Sequence, residues 1–288
     1  MQAPKGFLLS IGGAEDKGDR KKDEVKEEND FLENGILNEV VRLLKSTKGK
    51  VEVITTATSY PNESYQNYKK AFSKLGCSYV GHLPISDRSE ANLNEYLSRL
   101  EKCDGVMFTG GDQQKISAIL GGSELCRKMK QRYFNQHFVI AGTSAGAAAM
   151  STVMMNGGDE EKAFLKGQIE LSAGFGFIND VIIDTHFDAR GRFERLAHAV
   201  AVQPALLGVG LGEDTGVIIE KGTFLRCVGS GCVTIIDGRE ITHNNIAFAE
   251  EGSPLSIAKF GVCFMSKSDC FDIEKRKFLP APIEKSKE

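Results

Sequence analysis

Short apolar runs alternate with segments of helical period along the first half of this chain, and that rhythm restricts the fold more than any other feature. Gly6–Ile11, Lys50–Thr55, Cys77–Leu83, Gly105–Thr109 and Phe138–Ala141 are apolar and bounded by glycine or polar residues. Between them, Phe31–Leu44, Tyr65–Leu75, Glu90–Leu100 and Glu124–Phe134 carry apolar residues at helical spacing. A strand wetted on one face alternates apolar and polar side chains, whereas an uninterrupted apolar run marks a strand covered on both faces. Strand, helix, strand repeated in this way predicts an α/β protein with a mostly parallel sheet and helices on both faces.

The rhythm changes after residue 200. Leu206–Leu211, Val217–Glu220, Phe224–Gly229 and Cys232–Ile236 are closely spaced strand candidates, with turn signals at Lys221-Gly222 and Asp237-Gly238. They predict a C-terminal antiparallel extension of the same sheet. No Pro/Gly/Ser-rich linker divides the chain, so residues 1–288 read as a single domain. The charged segments Glu15–Asp30 and Glu274–Glu288 read as solvated loop and tail at its periphery.

Composition excludes several functions. A formal net charge of −3, with Lys and Arg interleaved among Asp and Glu, offers no basic face for nucleic acid. The seven cysteines are an odd number without metal-binding spacing, as expected for free thiols of a reducing compartment. The apolar run Phe7–Ile11 is too short for a signal-peptide core, and nothing approaches the ~20 apolar residues of a membrane span. A cytoplasmic location is therefore expected.

The strongest local signal is Gly142-Thr143-Ser144-Ala145-Gly146, set between the apolar run Phe138–Ala141 and the small residues Ala147–Met150. A G-x-S-x-G between strand and helix is a nucleophile elbow: the turn is so tight that only glycine fits on either side of the serine. Its hydroxyl then stands at a helix N-terminus, where amides and the helix dipole favour a developing oxyanion. A second glycine turn, Phe108-Thr109-Gly110-Gly111-Asp112-Gln113, lies at the carboxyl end of another predicted strand, where open α/β sheets bind ligands. Gly110 and Gly111 are candidate oxyanion donors, with the amide of Ala145, and Gln113 is a candidate substrate contact.

A serine hydroxyl needs a base. Of five histidines, His186 alone follows a predicted strand, in Asp184-Thr185-His186-Phe187. A carboxylate must orient its ring, and Glu213 and Asp214, after the strand Leu206–Leu211, both qualify by position. Arg192 and Arg195 are three apart on a predicted helix and share a face behind His186, which suggests capture of a substrate carboxylate. Pairing with an acidic residue of the protein is the alternative use of that face.

These blocks resemble the cyanophycinases, members of the S51 group of serine peptidases that also includes the α-aspartyl dipeptidases. The resemblance runs from about residue 6 to residue 280, through Ile11–Lys17, Phe108–Gln113, Gly142–Ala147, Asp184–Leu196, Gly212–Thr215 and Phe271–Ile273. It implies a flavodoxin-like three-layer sandwich of the class I glutamine amidotransferase type, with serine at the elbow. It implies Ser144 as nucleophile, His186 as base and Glu213 as acid, with Gln113, Asp184, Arg192 and Arg195 in the substrate pocket. The reaction implied is exopeptidase cleavage of cyanophycin, a polyaspartate bearing arginine on each β-carboxyl, into β-aspartyl-arginine, by a homodimer without metal or organic cofactor. One departure stands out: Thr185 replaces the glutamine usual before the histidine. This shorter pocket residue leaves a related β-aspartyl peptide open as the substrate. The rivals are an α-aspartyl dipeptidase and a non-catalytic acidic-peptide-binding protein on the same scaffold.

Overall fold

The computed structural model describes residues 3–18, 28–44, 49–158 and 162–282. Through the first half the order is β1 (Phe7–Ile11), α1 (Glu28–Asn34), α2 (Ile36–Leu43), β2 (Lys50–Ile54), α3 (Pro61–Lys74), β3 (Tyr79–Leu83), α4 (Asn94–Lys102), β4 (Gly105–Phe108), α5 (Gln113–Leu120), α6 (Glu124–Asn135) and β5 (Val139–Thr143). Then follow α7 (Ala145–Ala148), β6 (Val153–Gly158), β7 (Ile169–Ala173), β8 (Val181–Asp184), α8 (Phe193–Val202) and β9 (Leu207–Leu211). The last third is β10 (Thr215–Glu220), β11 (Phe224–Gly229), β12 (Val233–Asp237), β13 (His243–Asn244), β14 (Ile257–Ala258), β15 (Gly261–Met265), β16 (Cys270–Asp272) and β17 (Lys277–Leu279).

The central sheet has the order β17-β16-β11-β10-β1-β5-β4-β2-β3. Its β1, β5, β4, β2 and β3 are parallel, and β10, β11, β16 and β17 extend it antiparallel. Successive residues of the parallel strands enter opposite cores. Leu8, Val106, Phe108 and Ile140 face one cluster, while Leu9, Met107, Val139 and Ala141 face the other. That period of two explains the unbroken apolar runs. Buried residues of α2 and α3 complete one cluster and those of α4 to α7 the other, so helices do cover both faces.

Two of the four late strands leave the predicted arrangement. β10 and β11 extend the main sheet through the Lys221-Gly222 turn, where both residues have positive φ (55° and 74°). β9 and β12 instead join a second sheet of order β15-β12-β9-β8, with β8 and β9 parallel. Gly229, at φ 95°, redirects the chain after β11, whose free edge is taken by β16. The inner side of this second sheet (Val209, Leu211, Val233, Ile235) joins the core of the main sheet, and α8 packs on its outer side through Leu196 and Val200.

The peripheral segments also differ from expectation. Lys277–Leu279 is an edge strand rather than tail, and Glu15 is buried. Residues 19–27 and 283–288 of those segments lie outside the described residues. Among the described residues, no helix is long and apolar enough to cross a membrane.

Candidate active site

Ser144 occupies the single position between β5 and α7, with φ 50° and ψ −116°. An L-residue held there stores roughly 1–3 kcal/mol of strain. The flanking glycines make the turn possible by close approach. A Cβ on Gly142 would stand 2.7 Å from the Gly146 backbone, and one on Gly146 would stand 2.6 Å from Phe108 Cβ. The elbow closes only with hydrogen at both positions.

Other strand ends bring the remaining groups to this serine, and the loop after β1 joins them. Three consecutive carbonyls accept three backbone N–H bonds: Ile11 O from Ser144 (2.9 Å), Gly12 O from His186 (2.8 Å) and Gly13 O from Asp214 (2.9 Å). The main sheet thus supplies the serine while β8 and β9 of the second sheet supply the histidine and carboxylates, all tied to one short backbone segment. Beyond it, His186 Nε2 lies 3.1 Å from Ser144 Oγ, and His186 Nδ1 lies 2.8 Å from Glu213 Oε1. Asp214 faces away, its carboxylate accepting from Ser230 Oγ (2.8 Å) and the Asp16 amide (3.3 Å). Glu213 is therefore the carboxylate that meets the imidazole. Ala14, Ser144, His186 and Asp214 all have φ near 50°, a concentration of unusual backbone at one place.

Ser144 and His186 open into a cleft of about 500 Å³. Gly110 and Gly111 line it, and Ala145 is the first residue of α7, so its amide has no intrahelical acceptor. Tyr60, Glu63 and Asn67, at the start of α3, form one wall. Glu15, Lys17 and Arg190 also line the cleft. None of these three is a predicted site residue, and the charged segment that holds Glu15 and Lys17 reads as solvated loop in the sequence. The available signal is the place of Glu15 and Lys17 in the Ile11–Lys17 block and of Arg190 in the Asp184–Leu196 block.

The remaining predicted contacts lie outside this lining. Gln113 donates from Nε2 to Met155 O (3.2 Å) and Asn156 O (2.8 Å), bracing β6. Thr185 is buried, donating its amide to Asp184 Oδ1 (2.9 Å) and accepting on its carbonyl from Arg192 (2.7 Å). Arg192 and Arg195 are both buried and turned toward Asp184. Arg195 holds both of its carboxylate oxygens, one through Nε at 3.1 Å, and Arg192 approaches Oδ1 at 3.4 Å. Both guanidiniums of that face are thus paired with the protein's own carboxylate. A carboxylate this buried must be paired, and the adjacent guanidiniums satisfy it. Asp184→Ala is accordingly expected to destabilise the fold by about 3–5 kcal/mol, the cost of breaking a buried ion pair. Denaturant unfolding checks this, and a change below about 1 kcal/mol would contradict it.

Among the described residues, no group of three or more His, Cys, Asp or Glu is placed to hold a metal ion.

The comparisons agree with this architecture. The sequence profile of peptidase family S51 matches residues 25–227. Cyanophycinase from Trichormus variabilis is 33% identical over 280 residues, which is 97% of this chain and 90% of that protein. Cyanophycinase from Thermosynechococcus vestitus is 32% identical over 269 residues, 93% of this chain and 80% of its own. Among solved structures, a peptidase from an acI-B1 Actinobacterium superposes with a TM-score of 0.60 at 18% identity, covering 92% of this chain and 98% of its own. A putative peptidase E protein from Listeria monocytogenes EGD-e gives 0.52 at 15% identity, covering 80% and 100%. At such identities these structures speak for the fold, and the profile and the cyanophycinases speak for descent. The chain belongs to peptidase family S51 and is a serine-type peptidase.

Proposed function

We propose that this protein is an exopeptidase that hydrolyses cyanophycin or related β-aspartyl peptides through an acyl-enzyme on Ser144. The row Ser144 Oγ, His186 and Glu213, joined at 3.1 and 2.8 Å at the foot of an open cleft, carries the reading. Glu213 accepts a hydrogen bond from Nδ1–H of His186, which keeps the ring proton on Nδ1 and leaves Nε2 free to take the proton of Ser144. The serine oxygen attacks the carbonyl of an aspartyl residue, and amides near Gly111 and Ala145 receive the oxyanion. The imidazolium then protonates the departing amine, and water activated by the same ring hydrolyses the ester.

Asp184, Arg192 and Arg195 act in this scheme as the buried frame that fixes His186 from behind, with Thr185 in the backbone of that frame. Gln113 secures the β4–α5 turn that presents Gly110 and Gly111. Thr185 is buried, and its short side chain is not among the residues lining the cleft. Likeness to cyanophycinases over nearly the whole chain supports the substrate class, and a homodimer is the assembly proposed with it. The seven free thiols fit a cytoplasmic location.

The test is a panel of cyanophycin, β-aspartyl peptides and α-aspartyl peptides presented to the purified protein, with products separated by mass. Release of β-aspartyl-arginine is expected. Turnover confined to α-linked peptides would reject the β-aspartyl assignment in favour of a dipeptidase.

A further inference from the structure

Glu15 is an unusual neighbour for a nucleophile. It is 4% exposed, and its carboxylate accepts from Tyr68 Oη on α3 and from Thr143 Oγ1 (2.6 Å), the residue immediately before Ser144. A buried carboxylate needs a counter-charge as well as hydrogen bonds. Lys17 supplies it, with Nζ 3.0 Å from Glu15 Oε1 and 3.4 Å from the Glu15 carbonyl. The ammonium also lies 5.1 Å from the centroid of the Tyr68 ring, within the range of a cation–π contact.

These contacts fix a side chain that ordinarily moves freely. A lysine ammonium has three donors; one reaches the Glu15 carbonyl, and the Glu15 carboxylate lies within ion-pair distance of it. The side chain remains 24% exposed and borders the same cleft as Ser144 and His186. A cation with its position already set loses little further freedom when it takes an anion, which raises the affinity it can supply. With Arg192 and Arg195 paired to Asp184, the cations that line the cleft among the described residues are Lys17 and Arg190.

We infer that Lys17 is a substrate-binding residue that takes a carboxylate of the peptide, and that Glu15 is the positioning residue holding its ammonium at the cleft. The inference rests on the peptidase reading of this cleft and moves carboxylate recognition from the Arg192–Arg195 face to the loop after β1.

The experiment measures binding by titration calorimetry in a Ser144→Ala background, where no turnover intervenes. The probes are β-aspartyl-arginine, its two mono-amides and its diamide. Lys17→Met is expected to weaken the dicarboxylate by about 10–100-fold, the size of one hydrogen bond to a charged group. One mono-amide should bind as weakly to the unaltered Lys17 protein, thereby identifying the carboxylate concerned, and should lose little more on Lys17→Met. Lys17→Arg should keep the preference for the carboxylate form, and Glu15→Gln should reduce it several-fold. Equal weakening of all four probes by Lys17→Met, no weakening of any, or no binding of the dicarboxylate at millimolar concentration would each overturn the inference. The two readings fail separately. Lys17-dependent binding by a protein whose Ser144 form cleaves no aspartyl peptide refutes the peptidase assignment alone. Cleavage with binding indifferent to Lys17 refutes this one alone.

Discussion

Ser144→Ala is expected to lower turnover of a β-aspartyl peptide by about 10⁵–10⁶-fold, the scale on which removing the serine from an acyl-transfer triad acts. The size follows from what the hydroxyl does. Without it no ester forms, His186 has no proton to take from Ser144, and the strained elbow presents a methyl group to the substrate. Binding should persist within a few-fold, since the loops that line the cleft do not depend on the oxygen. The residual rate is that of orientation and the oxyanion amides alone. Progress curves for the purified variant, with mass spectrometry for a serine-bound acyl group in the parent, measure both sides. A variant retaining more than a tenth of the parental rate would rule out a covalent role for Ser144.

Much of the frame that carries this serine was legible from residue patterns. Strands buried on both faces announce themselves because neither side needs a polar residue, and β1, β2, β3, β4 and β5 all fall within the predicted runs or a residue or two of them. The elbow was legible because steric demand leaves a trace: Gly142 and Gly146 occupy positions where any Cβ would meet backbone or Phe108. His186 could be picked out since a strand end is where an α/β sheet presents side chains.

Partner choice was less legible. β9 and β12 resemble β10 and β11 in length and apolar content, and which sheet each joins depends on the bend at Gly229 and on β16, which follows some 40 residues later in the chain. The charged groups were harder still. Glu15 meets Tyr68 and Thr143, 53 and 128 positions away, so nothing local marks it as buried. The Arg192–Arg195 face showed two cations, and its partner Asp184 stands 8 and 11 positions upstream, across the turn that carries His186. A charge pattern identifies a need for a counter-charge; only the tertiary fold decides whether the protein or a substrate supplies it.

Gly13→Ala is expected to be nearly as damaging to catalysis as loss of a reacting group, although Gly13 contributes no side chain. The new methyl would stand 2.3 Å from His186 Cε1 and 2.5 Å from Nε2, far inside van der Waals contact. The ring has little room to yield. Its Nδ1 is held by Glu213, its backbone amide by Gly12 O, and its own φ is already 50°. Relief requires a shift of about 1 Å, and misplacement on that scale costs roughly 10²-fold in rate. Loss of the 3.1 Å Ser144–His186 hydrogen bond removes part of the general base's contribution, which is about 10²–10⁴-fold in full. The expected fall in kcat is therefore about 10³–10⁴-fold. Gly13 also has φ 111°, where alanine is strained by roughly 1–3 kcal/mol, so stability falls too. Gly252→Ala separates the two effects. Gly252 has φ 79°, but a Cβ there would have no atom within 4 Å. The Gly252 variant should show a comparable drop in stability with full activity. If Gly13→Ala loses no more activity than Gly252→Ala, the histidine is not held against the β1 loop in the working enzyme, and the convergence of the two sheets on that loop is not what aligns the base with the serine.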